Sequence, residues 1–283
     1  MSTPARAALA GNPSDGFAGA VCALVVPAMS ARAFLVKGAI DSSIPLIGAS
    51  IRRFRSDVAT VPSGHTIEFE SSIPRSVGLA GSSAIVIATL RCLCAETGVQ
   101  LEPVELAQLA HTIERTDLGI AGGWQDQMVQ AHGFSALMDF AGTPSISKLQ
   151  FTTTRTIPVY VAWSAAAGES SGVSHRALRE RPAPDEGVVR AFAETAIIAA
   201  ESLASGDVHS LKQAIDESFD LRAELMTLNP VQRQMVVDAR ERGACANYTG
   251  SGGAIVGVVP KDEQGFKTAM DQAGYDLIMW DAR

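Results

Sequence analysis

Positive charge is in short supply in this chain. Its 283 residues hold 23 Lys and Arg against 30 Asp and Glu, a formal charge of −7. Without a basic stripe to meet a phosphate backbone, no nucleic-acid partner is expected, and a small molecule is the natural ligand. Cysteine is sparse too. Cys22, Cys92, Cys94 and Cys245 fit neither a disulfide framework nor a zinc site, and two residues apart on a helix Cys92 and Cys94 point to different faces. Reduced structural thiols are therefore expected. No apolar run reaches membrane-spanning length. The opening Met1-Ser2-Thr3-Pro4-Ala5-Arg6 lacks the charged start, apolar stretch and cleavage site of a secretory signal. A cytoplasmic protein with no membrane partner is the expectation. The five histidines show no metal or nucleophile spacing. What the chain has is 47% hydrophobic and 19% charged residues, a globular composition long enough for one large domain or two ordinary ones.

The most informative stretch is Pro74-Arg75-Ser76-Val77-Gly78-Leu79-Ala80-Gly81-Ser82-Ser83-Ala84, which runs straight into the apolar Ile85 to Leu93. A small-residue loop opening a helix presents free backbone N–H groups and the positive end of the helix dipole, which suits an anion. Gly78 and Gly81 let the backbone approach a phosphate with no Cβ in the way. Ser82 and Ser83 either cap the helix or turn a hydroxyl toward a metal ion. The loop is not a Walker A sequence, because no Gly-Lys-Ser/Thr follows.

Patterning places strands at residues 5–10, 19–27, 65–70, 134–140, 157–163, 254–259 and 275–280. Helices are predicted from the loop to Gly98, from Pro103 to about Glu114, over 124–132, 186–205, 207–228 and 261–273, and from Pro230 to Gly243. Residues 142–156 turn to Ser, Thr, Gly and Pro, which suggests a domain boundary there. Helices and strands alternate without regular βαβ spacing, so the class is α+β.

Three glycine-rich stretches, 11–19, 78–83 and 250–253, lie far apart, and Asp15, Glu114 and Asp126 sit in or beside loops. Phosphoryl transfer asks for these parts: a backbone cradle for phosphates, a carboxylate for Mg²⁺ and another for the attacking hydroxyl. The plainer readings are a first-turn helix carboxylate for Asp126, a solvated helix-end residue for Glu114 and a structural ion pair for Arg6.

The chain resembles the GHMP small-molecule kinases, the superfamily of galactokinase, homoserine kinase, mevalonate kinase and phosphomevalonate kinase. Arg6-Ala7-Ala8-Leu9-Ala10-Gly11-Asn12-Pro13-Ser14-Asp15 is similar to the first motif, Pro74 to Ala84 to the phosphate loop, and Thr249-Gly250-Ser251-Gly252-Gly253-Ala254 to the third. The finer resemblance is to glucuronokinases, carried also by Leu118-Gly119-Ile120 with Gln125-Asp126, by Met138-Asp139-Phe140 and by Phe219-Asp220-Leu221-Arg222. The resemblance implies a two-domain α+β fold, ribosomal-S5-like over 1–155 and ferredoxin-like over 156–283. It implies an enzyme that uses ATP and Mg²⁺ to phosphorylate the anomeric hydroxyl of a monosaccharide, D-glucuronate first. Galactose, a heptose phosphate or another uronate are the other substrates, and a non-catalytic ligand sensor on the same fold is the rival. By the same resemblance, Asp126 acts on the sugar hydroxyl and Arg6 steadies charge at the transferred phosphoryl. Gly78, Leu79, Ala80, Gly81, Ser82, Ser83 and Ala84 bind ATP, and Ser83 with Glu114 holds Mg²⁺. Asn12, Asp15, Gly252 and Gly253 meet the substrate. A uronate adds a carboxylate, for which Arg222 and Arg176 are the candidate partners, a guanidinium fork matching two carboxylate oxygens.

Overall fold

A computed structural model describes residues 2–38, 43–61, 63–120, 122–168 and 184–282. Arg176 lies outside these residues. The chain forms two compact units, one of Met1–Arg6, Val25–Pro74 and Ala80–Gly133, the other of Ala7–Leu24, Arg75–Leu79 and Phe134–Arg283.

In the first unit, strand β2 (Ala20–Lys37) pairs antiparallel with β3 (His65–Ser71) from Ala31↔Ser71 to Lys37↔His65. The helices are α1 (Pro45–Asp57), α2 (Gly81–Thr97), α3 (Pro103–Thr112) and α4 (Gln125–His132), with one turn of π-helix at Ile113–Asp117. Helix α2 is the hub, packing against α1, α3, α4 and β3. Its sequence explains this: Ala84, Val86, Ile87, Ala88, Leu90 and Leu93 are all buried, so the helix is apolar round most of its circumference. It stops where predicted, at Gly98, whose φ of +72° is a left-handed cap that a Cβ would disfavour. Arg91 spends its guanidinium on the carbonyls of Ser2, Gln130 and Ala131, tying the chain start and the end of α4 to the hub.

In the second unit, β6 (Ile157–Trp163), β7 (Asn247–Tyr248), β8 (Ala254–Val258) and β9 (Asp276–Ala282) form an antiparallel sheet in the order β7-β8-β6-β9. Helices α5 (Glu186–Ser205), α6 (Val208–Leu225), α7 (Pro230–Glu241) and α8 (Glu263–Gln272) accompany it. Alternation along β6 turns Tyr160 and Ala162 to one face, where Phe219 of α6, Met235, Val236 and Ala239 of α7, and Phe266 and Met270 of α8 complete the core. The second sheet of the protein runs β1-β2-β4-β5, with β1 (Ser2–Ala10), β4 (Ala136–Asp139) and β5 (Ser145–Lys148), and β3 on β2.

Three stretches depart from the sequence reading. Helix α1 forms over Pro45–Asp57, where short apolar runs broken by Gly38, Pro45 and Gly48 gave no helix. Residues 145–148, in the segment read as boundary, pair with β4 as a strand; an edge strand of four polar-alternating residues carries almost no periodic signal. Strand β2 also runs ten residues beyond Pro27. A proline argues against a central strand, but Pro27 falls between Ala20–Ala23, which pair β4, and Ala31–Lys37, which pair β3.

The N-terminus of α7 offers a local test. The Asn229 side chain accepts a hydrogen bond from Val231 N–H at 2.9 Å, just ahead of Pro230 at the first helical position. Asn229→Ala removes this cap and is expected to cost about 1 kcal/mol in urea unfolding, with Asn229→Ser restoring most of it. An Asn229→Ser variant no better than alanine would show that the cap contributes nothing.

Candidate active site

Of the residues assigned to nucleotide and metal, Ala80 to Ala84 and Glu114 lie in the first unit, and Gly78 and Leu79 in the second. Helix α2 starts at Gly81 after Ala80, which adopts a left-handed φ of 58°, and no side chain caps it. Ser82 is thus not the cap, and the first-turn N–H groups keep their dipole end uncovered by a side chain. Ser83 turns inward and donates to Glu114 Oε2 at 2.6 Å. Gln127 donates from Nε2 to the same Glu114 oxygen at 2.5 Å and reaches Ser83 Oγ at 3.4 Å. Glu114 is 3% exposed, and burial pushes its carboxyl above the ordinary glutamate value against the opposing pull of its hydrogen-bond donors. Among the described residues no basic side chain forms an ion pair with it. A buried carboxylate held by neutral donors beside a hydroxyl has the hard-oxygen chemistry that suits Mg²⁺, which is typically held by one or two carboxylates plus phosphates and water.

Across the same unit, Arg6 donates from Nη2 to Asp126 Oδ1. Arg6 is 2% exposed, whereas the Asp126 side chain is 28% exposed. The guanidinium is buried and fixed while the carboxylate keeps one face open. Both were predicted from sequence, 120 residues apart, and the fold makes them partners. Trp124, just ahead of α4, stacks on His111 with ring centroids 3.8 Å apart.

The second unit gathers the residues assigned to the substrate. Asn12 is buried and donates to the Gly250 carbonyl at 3.1 Å. Asp15 is buried in the 3-10 turn Ser14–Phe17. Gly11 N–H donates to Ser218 Oγ at 2.9 Å, and Asn247 Nδ2 bonds both Ser218 Oγ and the Leu9 carbonyl at 3.2 Å. This buried polar knot pins the first motif to α6 and β7. The stretches around Gly78 and Gly250 touch: Thr249 Oγ1 donates to the Gly78 carbonyl at 3.0 Å, and a Cβ on Gly250 would meet that oxygen at 2.5 Å. Glycine is required there by backbone against backbone. The space left by the missing side chains of Gly252 and Gly253 is taken by Gln232 and Val77. Arg222, expected to be a surface residue if it had no site role, is buried, with its guanidinium carbon 5.0 Å from the Tyr248 ring centre.

Residues 44–134 match the family profile described as the GHMP kinases N terminal domain. The chain carries a GHMP kinase N-terminal domain. It is 32% identical over 213 residues to probable glucuronokinase 2 of Arabidopsis thaliana, covering 69% of this chain and 57% of that relative. With glucuronokinase 1 of the same plant the identity is 28% over 239 residues, covering 78% and 66%. The chain thus spans under two thirds of the length of the curated relatives it matches. Among solved structures, Streptococcus pneumoniae phosphomevalonate kinase in complex with phosphomevalonate and AMPPNP superposes with a TM-score of 0.82 over 99% of both chains, at 15% identity. The chain therefore shares the α+β fold of that structure along its whole length.

Two residues beside the candidate ones were not singled out from sequence. Gln127 follows Asp126 directly, and on a helix neighbours point about 100° apart, so nothing in the order of residues says that Gln127 faces Glu114. Tyr248 precedes the third motif by one residue and reads as a core aromatic. In the structure its ring lies against the Arg222 guanidinium.

Proposed function

We propose that this chain is an ATP- and Mg²⁺-dependent kinase that phosphorylates the anomeric hydroxyl of a monosaccharide, D-glucuronate to D-glucuronate 1-phosphate. The observation that carries the reading is the Ser83–Glu114–Gln127 cluster at the start of α2, a buried carboxylate and hydroxyl with no ion-pair partner among the described residues. The glucuronokinase relatives support the sugar. A cytoplasmic location and a division of the chain near residue 155 belong to the same proposal.

In this reading the N–H groups of residues 78–84 bind the ATP phosphates, with the Leu79 side chain buried and Ala80 and Ala84 carrying only a methyl. Ser83 and Glu114 hold Mg²⁺, and Gln127 keeps Glu114 turned toward it. Bound there, the ion screens charge on the β- and γ-phosphate oxygens. Asp126 orients the sugar hydroxyl and takes its proton as the oxygen bonds to the γ-phosphorus and the bond to the β-phosphate oxygen breaks, releasing ADP. Arg6 holds Asp126 in place and faces the charge that develops on the phosphoryl oxygens. Asn12 and Asp15 meet sugar hydroxyls.

A coupled ADP-release assay over glucuronate, galacturonate, glucose, galactose and a heptose phosphate tests this. Turnover is expected with a uronate and to cease when EDTA removes Mg²⁺. ADP release with none of the panel would favour the ligand sensor.

A further inference from the structure

The second unit holds a charged group whose needs the fold leaves unmet. Arg222 is 3% exposed. Its Nε and Nη1 have no hydrogen-bond partner among the described residues. Burial is the dominant influence on it and pulls the guanidinium down to about 10, although Tyr248 and Asp15 both favour its charge. The Tyr248 hydroxyl, on the ring against which the guanidinium sits, is likewise buried with no partner among the described residues. A buried cation with idle donors costs free energy unless an anion completes it. Two neighbouring groups with idle hydrogen-bonding capacity point to the same missing ligand.

Position supports this. Ser218 and Arg222 are four apart on α6, so they lie on one face of the helix. Ser218 accepts from the Gly11 N–H, which places that face against the first motif. Asp15 of the same motif is near enough to act on the guanidinium. Phe219 packs edge-on to Tyr248, ring centres 5.3 Å apart, and steadies the aromatic wall.

We propose that Arg222 and Tyr248 form a carboxylate-reading subsite, which selects a sugar acid over its neutral counterpart. The inference rests on the kinase reading only for the fate of the ligand. The charge count selects a carboxylate over a phosphate. Arg6 and Arg222 are the buried cations among the described residues, and Arg6 is engaged by Asp126. With Asp15 already offsetting Arg222, a carboxylate leaves about one net negative charge in a desolvated place and a dianionic phosphate about two, and the smaller burden favours the carboxylate. Arg222 is in this sense a specificity residue: it binds the substituent and has no part in the transfer.

Isothermal titration calorimetry of D-glucuronate, D-glucose and glucose 6-phosphate, with and without a non-hydrolysable ATP analogue, tests the subsite on the full chain. In Arg222→Met glucuronate is expected to bind roughly 30-fold more weakly, the scale of a lost charge-assisted hydrogen bond, and glucose to change less than about 3-fold. Tyr248→Phe, which keeps the ring, is expected to weaken glucuronate by about 10-fold. The ligand-free melting temperature of Arg222→Met is expected to match or exceed the wild type, because an unsatisfied buried charge is gone. Equal losses on both sugars in a folded Arg222→Met variant would make Arg222 a structural residue and overturn the proposal. So would unchanged glucuronate affinity in both variants, and Arg222-dependent binding of glucose 6-phosphate tighter than glucuronate. If Arg222→Met misfolds, Tyr248→Phe alone decides. Failure of the kinase reading looks different: no ADP release, with Arg222-dependent glucuronate binding intact. Conversely, robust ADP release from neutral sugars that ignores Arg222 would sink the subsite and leave the kinase standing.

Discussion

Asp126→Asn is expected to lower kcat by roughly 10²-fold or more while leaving ATP and sugar binding near wild type, the scale for losing an acid–base group. Asparagine is the informative replacement. It is nearly isosteric, and its amide oxygen still accepts from Arg6, so the buried guanidinium keeps a hydrogen-bond partner. What it loses is the ability to take a proton from the attacking hydroxyl. Alanine would confound the result, since a buried charge left without its partner destabilises the fold by itself. The Asp126 side chain, 28% exposed against 2% for Arg6, is the member of the pair with a face left to meet a substrate. Steady-state kinetics at saturating sugar and ATP, with a melting curve as control, decides the matter. Near-wild-type turnover in a well-folded variant would reduce the pair to a structural contact.

Glu114→Gln is expected to raise the Mg²⁺ concentration for half-maximal activity on the order of 10-fold or more, with kcat largely recovered at high Mg²⁺. The substitution exchanges an anionic oxygen ligand for a neutral one of the same shape. Ser83 can still donate to the amide oxygen, so the start of α2 keeps its anchor. Burial already pushes the Glu114 carboxyl above its ordinary value, so a negative charge there is costly. Removing that charge should not weaken the fold. Sugar binding measured without nucleotide should be unaffected. An unchanged Mg²⁺ titration would show that Glu114 does not hold the ion, and that its cluster with Ser83 and Gln127 only joins the π-helical turn to α2 and α4.

Much of the fold was legible because its signals are local. The left-handed glycine ending α2, prolines at the first turns of α3 and α7, the alternation in β3 and the apolar run of β6 each act within a few residues. They are present in the order of residues before any tertiary contact forms. The long apolar face of α2 marked it as buried for the same reason. Strand β5 and the far half of β2 were not legible, since pairing partners rather than propensity keep them extended.

The site divides along the same line. The residue types and the three motifs were enough to nominate Ser83, Glu114, Asp126, Arg6, Asn12 and Asp15, because phosphoryl transfer needs small-residue loops and carboxylates whatever surrounds them. The sequence by itself therefore determined the candidate residues and the local elements that carry them. Only the tertiary structure decided which of these groups have partners. It set Ser83 against Glu114 across 31 residues, Arg6 against Asp126 across 120 and Gly11 against Ser218 across 207. It also brought in Gln127 and Tyr248, filled the space at Gly252 and Gly253 with Gln232 and Val77, and buried Arg222 with donors to spare. The physical reason is that burial and hydrogen-bond satisfaction are properties of a packed neighbourhood, and side chains from distant parts of the chain make up that neighbourhood.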